Sequence, residues 1–169
     1  MERESRRLLP LSARPSPSGT RSHVLAVVGG PLDAAVIDLA LVLAQEGQRP
    51  LDLLVLLEVP PLFPLRAYGD YLAARGGEAA LDAAEEQCGR VSGESGALIC
   101  RSAGAALVAE ILARGSTDLI MGAPGGNWWR RWCMRRAIAR VQARTRCRVY
   151  VVHQSPPPET RELPKRIVG

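Results

Sequence analysis

The sequence predicts an α/β fold: a single three-layer domain in which five strands form a parallel sheet covered by helices on both faces. Three observations carry that expectation. Short apolar runs alternate with helical patterns from residue 23 to residue 153. The run Leu51–Val59 is too apolar to own a wet face, as expected of a strand covered on both sides. Glycines stand just past the helical patterns, at Gly47 and Gly115, where a helix can end in a left-handed residue. Strands joined through helices run parallel, with right-handed crossovers.

The elements follow in chain order. His23–Val28 reads as a buried strand ended by Gly29-Gly30. Pro31 opens a helix, because its fixed φ and missing N–H suit a first turn. Ala35, Leu39, Val42 and Leu43 fall at core spacing, and the helix stops at Gly47. After the Leu51–Val59 strand comes a proline-rich loop, Pro60 to Pro64. Residues 68–91 are helical in pattern with a weak point at Gly76-Gly77. Ala97–Cys100 is a short third strand, Ala105–Arg114 a helix closed by Gly115, and Thr117–Met121 a fourth strand. Residues 137–145 lie within the last helix, with Met134, Ile138 and Val141 as its core face. Arg148–His153 is the fifth strand.

Composition bounds the rest. With 169 residues and 47% apolar content, the chain is most simply one domain with one sizeable core. Residues 1–22, rich in Arg, Ser and Pro, read as a flexible basic tail, and residues 154–169 as a proline-rich one. No uninterrupted apolar run reaches the roughly 18 to 20 residues of a spanning helix. No continuous hydrophobic signal region opens the chain, so the cytoplasm is the expected compartment. Cys88, Cys100, Cys133 and Cys147 show no metal-ligand spacing and read as reduced, mostly buried thiols. Asp118, Glu110 and Glu85-Glu86 are scattered and form no recognisable acid–base pair. No nucleophile, base or metal set can be named, so the expectation is a protein that is not an enzyme, with no catalytic residue and no metal.

The chemistry concentrates in the last third. The formal charge of +5 gathers there: no acidic residue stands between Asp118 and Glu159, whereas Arg130, Arg131, Arg135, Arg136, Arg140, Arg144, Arg146 and Arg148 all do. The fourth strand runs into Gly122-Ala-Pro-Gly125-Gly126. A strand, a glycine loop and a helix in that order aim N–H groups at one point and favour an anion there. Arg136, Arg140 and Arg144 share one helix face at i, i+4 and i+8. Trp128, Trp129 and Trp132, all the tryptophans of the chain, are interleaved with Arg130 and Arg131. That cluster reads either as the early turns of a helix capped by Asn127, burying Trp129 and Trp132, or as an exposed aromatic–cationic patch.

These residues resemble the universal stress protein family. The likeness spans residues 23–153 and rests on Ala26-Val27-Val28-Gly29-Gly30-Pro31, the apolar second strand with its proline loop, Thr117 to Gly122, and Cys147 to Val152. The resemblance implies a Rossmann-like sheet of order 3-2-1-4-5, a stress-response and regulatory role, and homodimers through the last strand, here Val149–Val152. Nucleotide-binding members carry G-x-x-G, nine residues, then G-[ST], and an acidic residue ending the first strand. Gly122-Ala-Pro-Gly125 matches the first half. Arg135-Arg136 replaces Gly-[ST], and Val28 stands at the acidic position.

Those departures argue against ATP held in the family's usual manner and leave an anion held by guanidinium groups. The expected ligand site is therefore Gly122, Gly125, Gly126, Arg135, Arg136, Val28 and Gly29, with ATP, AMP or a cyclic dinucleotide as candidate ligands. The alternative is a ligand-free docking subunit. It would bind an acidic protein partner or a membrane surface through Trp128, Trp129, Arg130, Arg131 and Trp132, within residues 128–136. Nucleic acid follows from the charge alone and is the least favoured partner.

Overall fold

The computed structural model describes residues 22–30, 32–58, 76–89, 93–124 and 128–153, with side chains from residue 131 in the last segment. In order these form β1 (His23–Val28), α1 (Asp33–Gly47), β2 (Leu51–Glu58), α2 (Gly77–Cys88), β3 (Ser95–Cys100), α3 (Ala103–Arg114), β4 (Ser116–Gly122), α4 (Trp128–Arg144) and β5 (Arg148–Val152). The sheet order is β3-β2-β1-β4-β5 and every pairing is parallel, as the sequence predicts. The two tails, Pro31, the Pro60–Pro64 loop, residues 68–75 of the second predicted helix, and Gly125 to Asn127 lie outside the described residues.

Both sheet faces are dry, which is why the strands read as continuous apolar runs rather than alternations. Val24, Ala26 and Val28 point to one face, where Val36, Ile37 and Ala40 of α1 and Leu81 and Ala84 of α2 pack. Leu25 and Leu119 point to the other, against Leu107 and Ile111 of α3 and Val141 of α4. Met134 and Ile138 join that second core as expected.

Two details of α1 differ from the sequence expectation. Its buried face is Val36, Ile37, Ala40 and Ala44, while Ala35 and Val42 face solvent. The helix is apolar nearly all round, so periodicity alone does not set its rotation; anchoring at its ends does. Its left-handed terminal residue is Gln48 (φ 47°), not the glycine before it. The N–H groups of Gln48 and Arg49 donate to the carbonyls of Gln45 and Ala44, closing the helix in a Schellman-like turn. Gly47 is needed for another reason. A Cβ there would overlap Nε and Cδ of Arg49, whose side chain folds back beneath the helix end.

The last helix starts at Trp128, as in the first of the two readings of the tryptophan cluster, so Arg135 and Arg136 lie two turns inside it. A helix of this length spends its interior N–H groups on carbonyls four residues back. The asparagine expected to cap it, Asn127, falls outside the described residues.

Candidate functional site

In an open parallel sheet, ligands sit beyond the carboxyl ends of the strands where the order reverses. Here that point lies between β1 and β4. The register pairs Val27 with Met121, which brings Val28-Gly29 and Gly122 to adjacent strand ends. From there the chain leaves in opposite directions, to α1 on one face and to α4 on the other.

Each residue at this mouth has a definite local role. Val28 is 4% exposed and its side chain belongs to the core beneath α1. Gly29 adopts φ +109°, a conformation that L side chains rarely take, and so turns the chain out of β1. Its N–H donates to Asp33 Oδ2 at 2.8 Å, and the N–H of Gly30 donates to Asp33 Oδ1 at 2.9 Å. Both loop amides, the natural anion cradle, are thus already filled by a carboxylate of the same chain. Asp33 is the residue that sequence reasoning missed. Its signal was an acidic residue three positions past a Gly-Gly turn at a helix start, where such a side chain reaches back to orphan N–H groups.

Gly122 is spared a side chain for packing. A Cβ there would stand 3.2 Å from Leu32 Cβ and 3.5 Å from Val36 Cγ2, so the start of α1 rests on β4 at this point. Beyond it, the N–H of Ala123 donates to the Val152 carbonyl at 2.7 Å, which ties the exit of β4 to β5. Gly125 and Gly126 follow in the segment outside the described residues. Arg135 and Arg136 are exposed on α4. Arg136 stacks on the ring of Trp132, its guanidinium carbon 4.7 Å from the centroid. Trp132 is 41% exposed, which contradicts the reading that helix formation would bury it. Arg131 is exposed as well. The side chains of Trp128, Trp129 and Arg130 lie outside the described residues.

Among the described residues, the two buried carboxylates lie at the other end of the sheet. Asp118 on β4, fully buried, pairs with Arg49 and with Arg148, whose Nε approaches Oδ1 at 2.8 Å, and accepts from Thr117 Oγ1 at 2.9 Å. Burial pushes its carboxyl up, but hydrogen bonds from Arg49, Arg148 and Thr117 outweigh that and hold it below the usual value. Asp52 on β2, also buried, accepts from His23 Nδ1 at 2.9 Å and from the Glu94 N–H at 2.8 Å, with Arg114 at 3.6 Å. The register puts Asp118 opposite Val24 and Asp52 opposite Leu25, so one such lock serves each face. Sequence reasoning had left Asp118 without a role.

The thiols show the same inwardness. Burial pushes Cys100 and Cys147 up to about 11, with Glu58 and Asp118 respectively adding to the effect. Cys88 is raised too, by burial and by Asp38.

Comparison with known proteins adds the fold's kinship. No sequence-family model and no curated protein matches the chain. Solved structures do. A universal stress protein in complex with cAMP is 19% identical over 79% of this chain and 98% of its own, with a TM-score of 0.56. A universal stress family protein from Burkholderia pseudomallei is 20% identical over 80% and 98%, also at 0.56.

The fold is that of the universal stress proteins. A third such structure, from Archaeoglobus fulgidus in complex with dAMP, is 13% identical over 78% of this chain and 97% of its own, at 0.52. Against the universal stress protein pattern, this chain keeps the strand order and the glycines after β4, and departs at Val28 and at Arg135-Arg136. The departure at Arg135-Arg136 falls inside a helix. Among the described residues no helix is long and apolar enough to cross a membrane.

Proposed function

We propose that this domain is a non-catalytic regulatory module of the stress-response type that binds an adenine mononucleotide between the loops following β1 and β4. The observation that carries the reading is the mouth itself: two adjacent parallel strands end together and their chains diverge to opposite faces. Two universal stress proteins of the same fold hold cAMP and dAMP.

Local electrostatics refine where the ligand would sit. The amides of Gly29 and Gly30 are taken by Asp33, whose charge also repels an anion. A phosphate would therefore lie on the β4 side, between Gly122 and the amino end of α4, and a base or sugar on the β1 side. The absence of catalysis is supported by where reactive groups lie. Among the described residues, Asp52 and Asp118 are spent on Arg114 and Arg49 at the far end of the sheet, and burial holds Cys100 and Cys147 as thiols.

Isothermal titration of the full chain with AMP, cAMP and ATP tests the proposal. Saturable binding of a monophosphate, with no turnover on long incubation, is expected. Silence from all three at millimolar concentration would overturn it. Pairing of two copies through β5 belongs to the same reading. β5 is a sheet edge whose Val149–Val152 stretch is half-buried, and an uncovered edge is an association surface. Light scattering that returns a monomer at high concentration would remove this part alone.

A further inference from the structure

The outer surface of the α3–α4 layer is not used by the nucleotide reading, and its composition is unusual. Trp132, Arg136, Arg140 and Arg144 follow one another at four-residue intervals on α4, and all four are exposed. They form one ridge about 18 Å long, with guanidinium groups roughly one helical turn apart. Among the described residues no carboxylate pairs with Arg136, Arg140 or Arg144. The stem of Arg140 lies beside Gly104 of α3, where a Cβ would stand 3.3 Å from Arg140 Cδ and 3.0 Å from Ala137 Cα. The two helices therefore meet closely at that point and share one outer face.

On α3 that face is apolar. Ala105, Ala109 and Leu112 lie at i, i+4 and i+7 and are exposed, Leu112 by 64%. Crossover helices on one face of a parallel sheet run in the same direction. Leu112, eight residues past Gly104, thus lies toward the carboxyl end of the shared face, while Trp132 lies toward its amino end. The surface is a cationic rail with an apolar strip beside it and a large apolar side chain toward each end.

We propose that this face docks an acidic amphipathic helix of a partner protein. Carboxylates one turn apart match guanidinium groups one turn apart, and the fork of Arg favours two-oxygen acceptors. The partner's apolar stripe would cover Leu112 and the alanines beside it, and Trp132 with Arg136 on its ring would serve as the anchor. A bilayer is the poorer fit. The apolar side of α4 (Met134, Ala137, Ile138, Val141) is turned into the core and is not available for insertion. A nucleic acid backbone would satisfy the arginines and leave the apolar strip uncovered.

The experiment selects a displayed library of helical peptides, with acidic and apolar positions varied, on the intact chain. Enriched peptides are then titrated by fluorescence anisotropy. Peptides bearing a carboxylate at each turn beside an apolar stripe are expected. Their affinity should fall roughly tenfold or more for Arg136→Glu with Arg140→Glu and for Leu112→Glu, and stay unchanged for Val42→Glu on the opposite layer. If the charge reversal impairs folding by circular dichroism, Arg136→Gln with Arg140→Gln gives the same readout with the stems kept. Three results would overturn the proposal: no enrichment, enrichment without acidic periodicity, or binding that ignores the arginine variants. Tighter binding of phosphatidylserine vesicles or of a short duplex, lost on the same charge reversal, would also overturn it and name the other partner.

Discussion

Arg49 and Asp118 form an ion pair across the start of β1, the guanidinium coming from the turn after α1 and the carboxylate from β4. Asp118 is fully buried and the Arg49 side chain is 15% exposed, so neither group is left to water. A buried charge stripped of its partner is costly, in contrast to a surface pair. Asp118→Asn or Arg49→Ala is expected to cost about 3 kcal/mol. Arg148→Ala, removing a partner whose side chain is 65% exposed, should leave the urea midpoint nearly unchanged. Equal losses for Arg49 and Arg148 would show that burial does not set the strength of these pairs.

The same carboxylate makes stability depend on pH. Its folded-state value lies below the ordinary 3.8, so the folded chain binds fewer protons there than the unfolded chain does. The stabilisation is then fully present above the ordinary value and is lost as pH falls through the lowered one. Urea midpoints followed from pH 6 down to about pH 3 should decline more steeply for the wild type than for Asp118→Asn. Parallel profiles would dissociate Asp118 from acid sensitivity.

The end of α1 offers two opposed substitutions at neighbouring positions. Gln48→Gly relieves a left-handed side-chain residue and is expected to raise stability by about 1 kcal/mol. Gly47→Ala places a methyl against Arg49 and should lower it by displacing the guanidinium from Asp118. Thermal melts of the two variants shifting in the same direction would contradict this account.

Asp33 is expected to trade stability for affinity. Asp33→Ala uncovers the amides of Gly29 and Gly30 and should cost about 1 kcal/mol, as loss of a cap does. With the carboxylate gone, a nucleotide phosphate meets two free N–H donors and less repulsion, so AMP should bind more tightly in calorimetric titration. Weaker AMP binding by the variant would mean that Asp33 contacts the ligand favourably.

Cys100 and Cys147, held near 11, present about one thiolate in a thousand at pH 8. Iodoacetamide should label them in urea and leave them intact in buffer, as peptide mass spectrometry would resolve. Rapid native labelling at either position would place it outside the core.

The fold was legible because each strand is a continuous apolar run between turn residues, and Leu51 to Leu57 could hardly be anything but a doubly covered strand. The mouth was legible as a place, from Gly29-Gly30 and Gly122, and less so as chemistry. Asp33 looked like an ordinary first-turn acid, because nothing local says that its oxygens turn back onto the preceding amides. Counting along the family pattern sets Arg135-Arg136 at the place of Gly-[ST]; the helix begins at Trp128, since the basic and aromatic residues from 128 to 134 are adequate helix formers, and that place falls in its interior. Asp118 was passed over because its partners stand 69 residues before it and 30 after it, a pairing that only the sheet register creates.

The distribution of charge along the strand axis has a consequence for how such a chain can diverge. The ionic clasps that fasten each layer, Asp118 with its arginines and Asp52 with His23 and Arg114, sit at the amino pole. No member of either clasp stands among the described residues of the carboxyl pole, so a change of side chain there leaves both fastenings in place and acts on the sheet only through its own local packing.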